Sequence, residues 1–316
     1  MLQTLQRWPR AIVIVASILI ATLGVTIAFG TAAPPRPVQP RQLDLTDLPA
    51  FSRYTARDGT QIAYRAHPGG GEQVAVLIHG TGTESSVMNA LAKTLRAAGA
   101  TVYAPDLRGH GSSGRRGDID CIGQLDDDLA DLVATIRPAH AHATLTYRLL
   151  RWRRLHHPHR GRILRQSFRS IHCDRPGHPS PLARPNAGGW ATPYLPRIVG
   201  LIILDKIGIH WFDGLDAIVF AIPPGNQNLT GVYSFRLAMN LGSNGYFAAL
   251  QRTKKPMALI AGANDDQFYA DRYAPLLRLA KPDLTVELVP GLDHVDMLMK
   301  PAAFATLRRT FDAMPR

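Results

Sequence analysis

Cysteine is scarce in this chain of 316 residues, which contains only Cys121 and Cys173. Two thiols 52 residues apart form neither a disulfide framework nor the closely spaced ligand pairs of a zinc site. The cysteine content therefore excludes a disulfide-rich scaffold, and the two residues are interpreted as incidental. With 46% hydrophobic residues, the chain has enough apolar material for one large α/β domain with a lid, or for two small domains.

Acidic residues and lysine are nearly missing from one stretch of the chain. Between Arg148 and Arg184 there are ten arginines, no lysine and a single acid, whereas the rest of the chain has 26 basic and 23 acidic residues. The net charge of +12 is therefore largely local, and no nucleic-acid partner is expected from it. The histidines of this stretch (His156, His157 and His159) have no carboxylate or thiolate close by, so no metal site is predicted.

The amino terminus combines a basic segment, residues 1–10, with an uncharged apolar run of 20 residues, 11–30. A run of this length predicts a transmembrane signal anchor, with cleavage of a secretory signal as the alternative. The basic residues precede the apolar run, which favours a single-pass membrane protein with an extracytoplasmic main domain, or a secreted protein after cleavage. A Pro-rich, extended linker is predicted over 31–50.

From residue 51 onwards, short apolar runs alternate with amphipathic ones. Predicted strands lie over 53–71 (two strands around the Asp58-Gly59 turn), 73–78, 101–105, 256–261 and 284–289. Helical spacing is found over 86–98 and 124–137. Strands that alternate with helices predict an α/β domain over 51–316 with a mostly parallel, doubly wound sheet.

Two turns in this domain carry a recognisable pattern. The predicted strand 73–78 is followed by His79-Gly80-Thr81-Gly82, and the strand 101–105 by Asp106-Leu107-Arg108-Gly109-His110-Gly111. These motifs resemble strand 3 and the strand 4 turn of α/β-hydrolases, in the branch of lysophospholipases, monoacylglycerol lipases and S33-type serine aminopeptidases. The resemblance implies that the glycines of the first turn let the backbone bend, so that the N–H of Thr81 points into an oxyanion hole.

The carboxyl-terminal third contains two further residues of this resemblance. Asp265 follows the predicted strand 256–261 in a Gly-x-x-Asp arrangement, and His294 follows the strand 284–289. In the family, an acid at the first position orients a histidine that acts as general base. Asp265 and His294 are expected in these roles, with the adjacent Asp266 as the fallback acid. No metal or organic cofactor is implied.

The segment 188–253, inserted between these two parts of the domain, is predicted to form a lid. It contains apolar helical stretches and Pro-Gly turns, and it lies where this family inserts a helical lid after strand 6. An apolar lid suits an acyl chain or another hydrophobic group. The expected substrate is therefore a small-molecule or lipid-like ester.

The nucleophilic serine of the family is missing. It should lie in a Gly-x-Ser-x-Gly turn after strand 5, but the chain reads LTYRLLRWRR over 145–154. We interpret the Arg- and His-rich block over about 147–180 as translated one nucleotide out of phase. With CGG codons for Arg148 and Arg151 and CTC for Leu150, the shifted reading of 147–152 is Ile-Gly-x-Ser-Gly-Gly, which has its serine at the position of Leu150.

The sequence thus predicts a serine-hydrolase family protein that hydrolyses carboxylic esters through a Ser-His-Asp triad, impaired here because the serine is absent. Two alternatives stay open. One is a serine aminopeptidase of the same fold, and the other is a non-catalytic protein that binds an anionic partner through the basic segment 148–184. Arginines in place of core elements also predict poor folding, because they cannot be buried unpaired.

Overall fold

The helices and strands below come from a computed structural model, which describes residues 7–28, 35, 41–141, 145–149, 182, 189–222, 228–242 and 246–313. The helices are α1 (Arg7–Ala28), α2 (Asn89–Ala97), α3 (Gln124–Ile136), α4 (Leu195–Lys206), α5 (Phe235–Leu241), α6 (Tyr246–Arg252), α7 (Tyr273–Leu277) and α8 (Pro301–Ala313). The strands are β1 (Phe51–Thr55), β2 (Gln61–His67), β3 (Val74–Ile78), β4 (Thr101–Pro105), β5 (Leu145–Leu149), β6 (Ala191–Pro193), β7 (Asp216–Phe220), β8 (Val232–Ser234), β9 (Ala258–Gly262) and β10 (Thr285–Val289).

Five strands form the main described sheet, in the order β1-β2-β4-β3-β5. β1 and β2 are an antiparallel hairpin around the predicted turn, where Gly59 has a φ of 88° that favours glycine. β3 runs parallel to β4 and β5, and β9 runs parallel to β10. The carboxyl ends of β3 and β5 therefore meet at one edge, because Ile78 pairs with Leu149.

β3 lies at the centre of the core, since all five of its residues are buried. Val74, Val76 and Ile78 pack with α3 on one face, and Ala75 and Leu77 pack with α2 and α8 on the other. Helices on both faces of the sheet give the three-layer arrangement that the alternating pattern predicts. The predicted α/β fold is confirmed, and β3 is a rigid support for the turn that follows it.

The segment predicted as a helical lid contains helices and a small sheet. α4 and α5 lie in the two predicted apolar helical stretches, 195–212 and 235–242, whereas α6 was not predicted. The sequence did not predict the three-stranded antiparallel sheet β6-β7-β8, whose first strand precedes α4 and whose other two strands lie between α4 and α5 in the chain. Its strands have only three to five residues, too few for a clear alternating pattern.

The apolar run near the amino terminus forms α1, whose last turns pack on the protein. Ile27 is 5% exposed and shares an apolar cluster with Leu201 of α4. Nε of Arg197 donates to the carbonyl of Ile27 at 2.7 Å, which satisfies a terminal carbonyl of α1. In the part of the chain that the structure describes, no helix combines the length and apolarity that crossing a membrane requires. The predicted signal anchor and single-pass membrane location are therefore wrong.

The anomalous block lies mostly outside the described residues. The structure describes β5 at its beginning and Leu182 near its end, and Leu150 falls between them. The predicted elbow position, Cys173 and, apart from Leu182, the rest of the basic segment after residue 149 are thus not among the described residues. Cys121 is described, and it is a free, exposed thiol.

Candidate active site

The structure brings Asp265 and His294 together at the ends of two parallel strands. Asp265 follows β9, and His294 follows the neighbouring β10. Nδ1 of His294 lies 2.8 Å from Oδ2 of Asp265. A carboxylate oxygen only accepts, so Nδ1 carries the hydrogen and Nε2 is the unprotonated nitrogen of the neutral ring. Asp266, the fallback acid, is exposed.

The Asp265 carboxylate is buried and well supplied with donors. Its residue is 2% exposed, and Oδ1 accepts the backbone N–H groups of Gln267 and Phe268 at 2.8 and 2.9 Å. Burial raises the pKa of Asp265, but the hydrogen bond and the charge of His294, together with these two amides, outweigh burial and lower it. Asp265 therefore stays ionised, as an acid that orients a histidine must.

Gly262, the last residue of β9, allows the histidine loop to come close. A Cβ atom at this position would lie 2.2 Å from the carbonyl oxygen of Leu292 and 2.7 Å from that of Asp293. The backbone N–H of Asn264 also donates to the carbonyl of Leu292 at 3.0 Å. Only glycine fits here, which explains the glycine of the Gly-x-x-Asp arrangement.

The His79–Gly82 turn is held by its neighbours. His79 is fully buried, and its Nε2 accepts the backbone N–H of Leu107 at 3.0 Å. Nδ1 then carries the proton and contacts the carbonyl of Gly80 at 2.9 Å. Burial lowers the pKa of His79, so the ring is neutral. His79 thus ties together the two turns of the sequence motif.

Gly82 is fixed from the side of the small antiparallel sheet. Its N–H donates to the hydroxyl oxygen of Tyr233 at 2.6 Å, and its carbonyl accepts the N–H of Thr230 at 2.9 Å. The Tyr233 hydroxyl also meets Nε2 of His110. Among the described residues, the N–H of Thr81 has no acceptor. Within the described part of the chain, the N–H groups of Thr81 and Gly80 are therefore not taken up by another residue, whereas that of Gly82 is.

The turn after β4 forms a second buried network. The carboxylate of Asp106 accepts the backbone N–H groups of Ser85 and Ser112, both at 2.8 Å. Arg108 is 3% exposed and binds Asp128 through two nitrogens at 2.7 and 2.8 Å. These contacts explain why the motif has charged residues inside the protein: each one is paired.

Arg41, from the predicted linker, contacts the loop that carries His294. One nitrogen of its guanidinium lies 2.7 Å from Oδ2 of Asp293, and the other lies 3.1 Å from Oδ1 of Asp296. Burial raises the pKa of Asp293, but the hydrogen bond from Arg41 contributes to a net lowering. Sequence reasoning missed both Arg41 and Tyr233, because no local pattern indicates a contact this distant along the chain.

The comparisons with known proteins concern the fold and the part of the chain that contains the two motif turns. Residues 71–147 match the family described as Serine aminopeptidase, S33, and no curated protein matches the chain. Similar solved structures include an esterase from Pyrococcus furiosus (16% identity, TM-score 0.50, 90% of this chain and 99% of that chain). A lipase in its open form (17%, 0.52, 83% and 97%) and an α/β-hydrolase from Penicillium sp. sh18 (15%, 0.51, 83% and 96%) are also similar.

Identities of this size demonstrate a shared fold and say nothing of the substrate. The predicted resemblance is confirmed by the match over the two motif turns and by the shared architecture. The chain has the α/β-hydrolase fold, and its residues 71–147 match the family described as Serine aminopeptidase, S33.

Proposed function

We propose that the chain carries the machinery of a carboxylic-ester hydrolase with a Ser-His-Asp triad, of which Asp265 and His294 are two members. The 2.8 Å contact between them, at the ends of adjacent parallel strands, carries this proposal. A buried carboxylate that holds Nδ1 leaves Nε2 to take a proton from a hydroxyl group and to return it to the leaving group. The triad order along the chain is also that of this fold.

The Thr81 amide is proposed as one donor of the oxyanion hole. Two observations support this role. The neighbouring Gly82 amide is already bound by Tyr233, and the Thr81 amide has no acceptor among the described residues. A donor fixed in advance stabilises negative charge without reorganising during the reaction. The second donor would be the amide after the nucleophile, which lies outside the described residues.

The nucleophile belongs at position 150, and this chain has Leu150 there. The pairing of Ile78 with Leu149 supports the position, because β5 ends beside the end of β3, the strand that leads into the His79–Gly82 turn. Loss of a triad nucleophile costs several orders of magnitude in rate. We therefore propose that the chain as written is an impaired enzyme.

The coding DNA across codons 140 to 190 tests the origin of the missing serine. Our proposal of a shifted frame requires CGG at Arg148 and CTC at Leu150. A different codon at either position would exclude it. The protein encoded when the gene is read one nucleotide later from codon 147 to about codon 180 is called the frame-restored chain below.

An ester is the proposed substrate, and a peptide is the alternative. The similar structures named above include an esterase and a lipase, whereas the matched family is described as a serine aminopeptidase. Segment 188–253 would act as an apolar lid over the acyl group. Purified frame-restored chain should hydrolyse p-nitrophenyl esters faster than aminoacyl p-nitroanilides. A preference for the anilides would favour the aminopeptidase instead.

A further inference from the structure

Three polar side chains meet where α4 ends and the chain turns towards β7. Asp205 belongs to the last turns of α4, and His210 and Asp213 follow in the connecting segment. One ligand atom from each residue lies within 4.8 Å of those of the other two. Asp213 is 6% exposed, and His210 is open to solvent.

Hydrogen bonds alone account poorly for this arrangement. Nδ1 of His210 lies 3.3 Å from Oδ1 of Asp205 and 3.2 Å from Oδ2 of Asp213, so one nitrogen faces two carboxylates. Charge-assisted N–H···O contacts are usually about 2.7–2.9 Å. The other oxygen of Asp213, Oδ1, is buried and has no hydrogen-bond partner within the described part of the chain.

Neighbouring cations do not supply the missing partner. Arg236 interacts with Asp213 by charge, and its backbone N–H donates to the Asp213 carbonyl at 2.9 Å. Its guanidinium, however, binds both oxygens of Asp118, at 2.8 and 2.6 Å. A buried carboxylate oxygen without a donor is costly unless a cation accompanies it.

We propose that Asp205, His210 and Asp213 bind a divalent cation of the Zn²⁺ class. Imidazole nitrogen and carboxylate oxygen bind Zn²⁺ at about 2.0–2.2 Å, and in a tetrahedral site such ligand atoms lie about 3.3–3.5 Å apart. The two distances from Nδ1, 3.3 and 3.2 Å, are close to this separation. Coordination through Nδ1 leaves Nε2 of the exposed ring to hold the proton.

The cation would join α4 to the segment that leads into β7. α4 is also the helix on which α1 packs, through the cluster of Ile27 and Leu201. The site therefore has a structural role in the segment predicted as a lid. The site does not depend on the proposed function. The sequence had predicted no metal site, so this proposal departs from that prediction.

The proposal is tested by measuring Zn²⁺ binding to the purified full chain. The chain is first treated with a chelator, and the chelator is then removed. Titration calorimetry should find one tight site per chain, and Co²⁺ should give the visible absorption of a tetrahedral site. His210→Gln and Asp205→Asn should each weaken Zn²⁺ binding by at least about 100-fold. Both positions are more exposed than Asp213, so these variants should fold.

Asp216→Asn is the matched control, since this exposed carboxylate lies on β7 outside the cluster. Asp216→Asn should bind Zn²⁺ as tightly as the original chain does. Zn²⁺ should raise the Tm of the original chain and of Asp216→Asn, but not the Tm of His210→Gln. The proposal is overturned if the original chain binds no Zn²⁺. Equal binding by the original chain and His210→Gln, or equal loss in Asp216→Asn, would also overturn it.

Discussion

His294 donates its Nδ1–H to Oδ2 of Asp265 across 2.8 Å, and this contact joins the loops that follow β9 and β10. The two residues are 29 positions apart in the chain, and parallel pairing of the strands brings them together. Phe268 lies against the imidazole, with ring centroids 5.5 Å apart. The histidine is thus oriented both by a charged hydrogen bond and by packing.

Asp265→Asn in the frame-restored chain should lower ester turnover by about 10³–10⁴-fold, because the amide favours the wrong imidazole tautomer. kcat measured with a p-nitrophenyl ester checks this. Asp266→Asn is the matched control: the exposed neighbour should change kcat by less than about 2-fold. Equal losses in both variants would mean that Asp265 does not orient the histidine.

Tyr233→Phe should destabilise the chain by about 1–3 kcal/mol, since it leaves the buried Gly82 N–H without an acceptor and removes the partner of His110. Urea unfolding measures the free energy. The control is Tyr64→Phe, where the ring also packs in the core cluster but the hydroxyl makes no hydrogen bond within the described residues. An effect no larger than the control would exclude a structural role for the Tyr233 hydroxyl.

Arg41→Ala should reduce kcat of the frame-restored chain several-fold, because it releases Asp293, the residue before His294, from its ion pair. The folding free energy should change by less than about 1 kcal/mol, as expected for a partly exposed pair. Arg57→Ala removes a similarly exposed arginine with two ion pairs, and it should leave kcat unchanged. Equal kcat values for both variants would contradict a positioning role for Arg41.

The buried His67 should lower the free energy of unfolding in acid. Burial, with Arg96, Arg65 and Lys93 nearby, lowers the pKa of His67 to about 4, against about 6.5 in the unfolded chain. Between these values the unfolded state binds the extra proton, so stability is complete above pH 6.5 and falls towards pH 4. The midpoint of urea unfolding should decrease from pH 7 to pH 6 and pH 5. The decrease should be smaller in His67→Gln than in the original chain. An unchanged slope in the variant would refute this.

Much of the fold and of the candidate site could be predicted because the signals are local. The buried strand β3 is followed by the motif turn that begins at His79. Asp265 and His294 each follow the end of a strand. Parallel strands bring such ends to one edge, so the meeting of Asp265 and His294 follows from topology.

The contacts that could not be predicted join distant parts of the chain. Gly82 and Tyr233 are 151 residues apart, and Arg41 and Asp293 are 252 apart. The apolar composition of 11–30 also fits two outcomes, because a helix packed on α4 and a membrane span both need apolar residues. Tertiary packing decides between such outcomes, and no local pattern encodes it.

Fluorophosphonate labelling, measured together with ester turnover, shows whether Leu150 deprives the chain of its nucleophile. We expect that the chain as written neither labels nor hydrolyses p-nitrophenyl esters above the level of its own His294→Ala variant, because position 150 has no nucleophile. The frame-restored chain should label, and its label should depend on His294. Labelling and turnover by the chain as written, both lost in His294→Ala, would show that it has a working nucleophile and is not impaired.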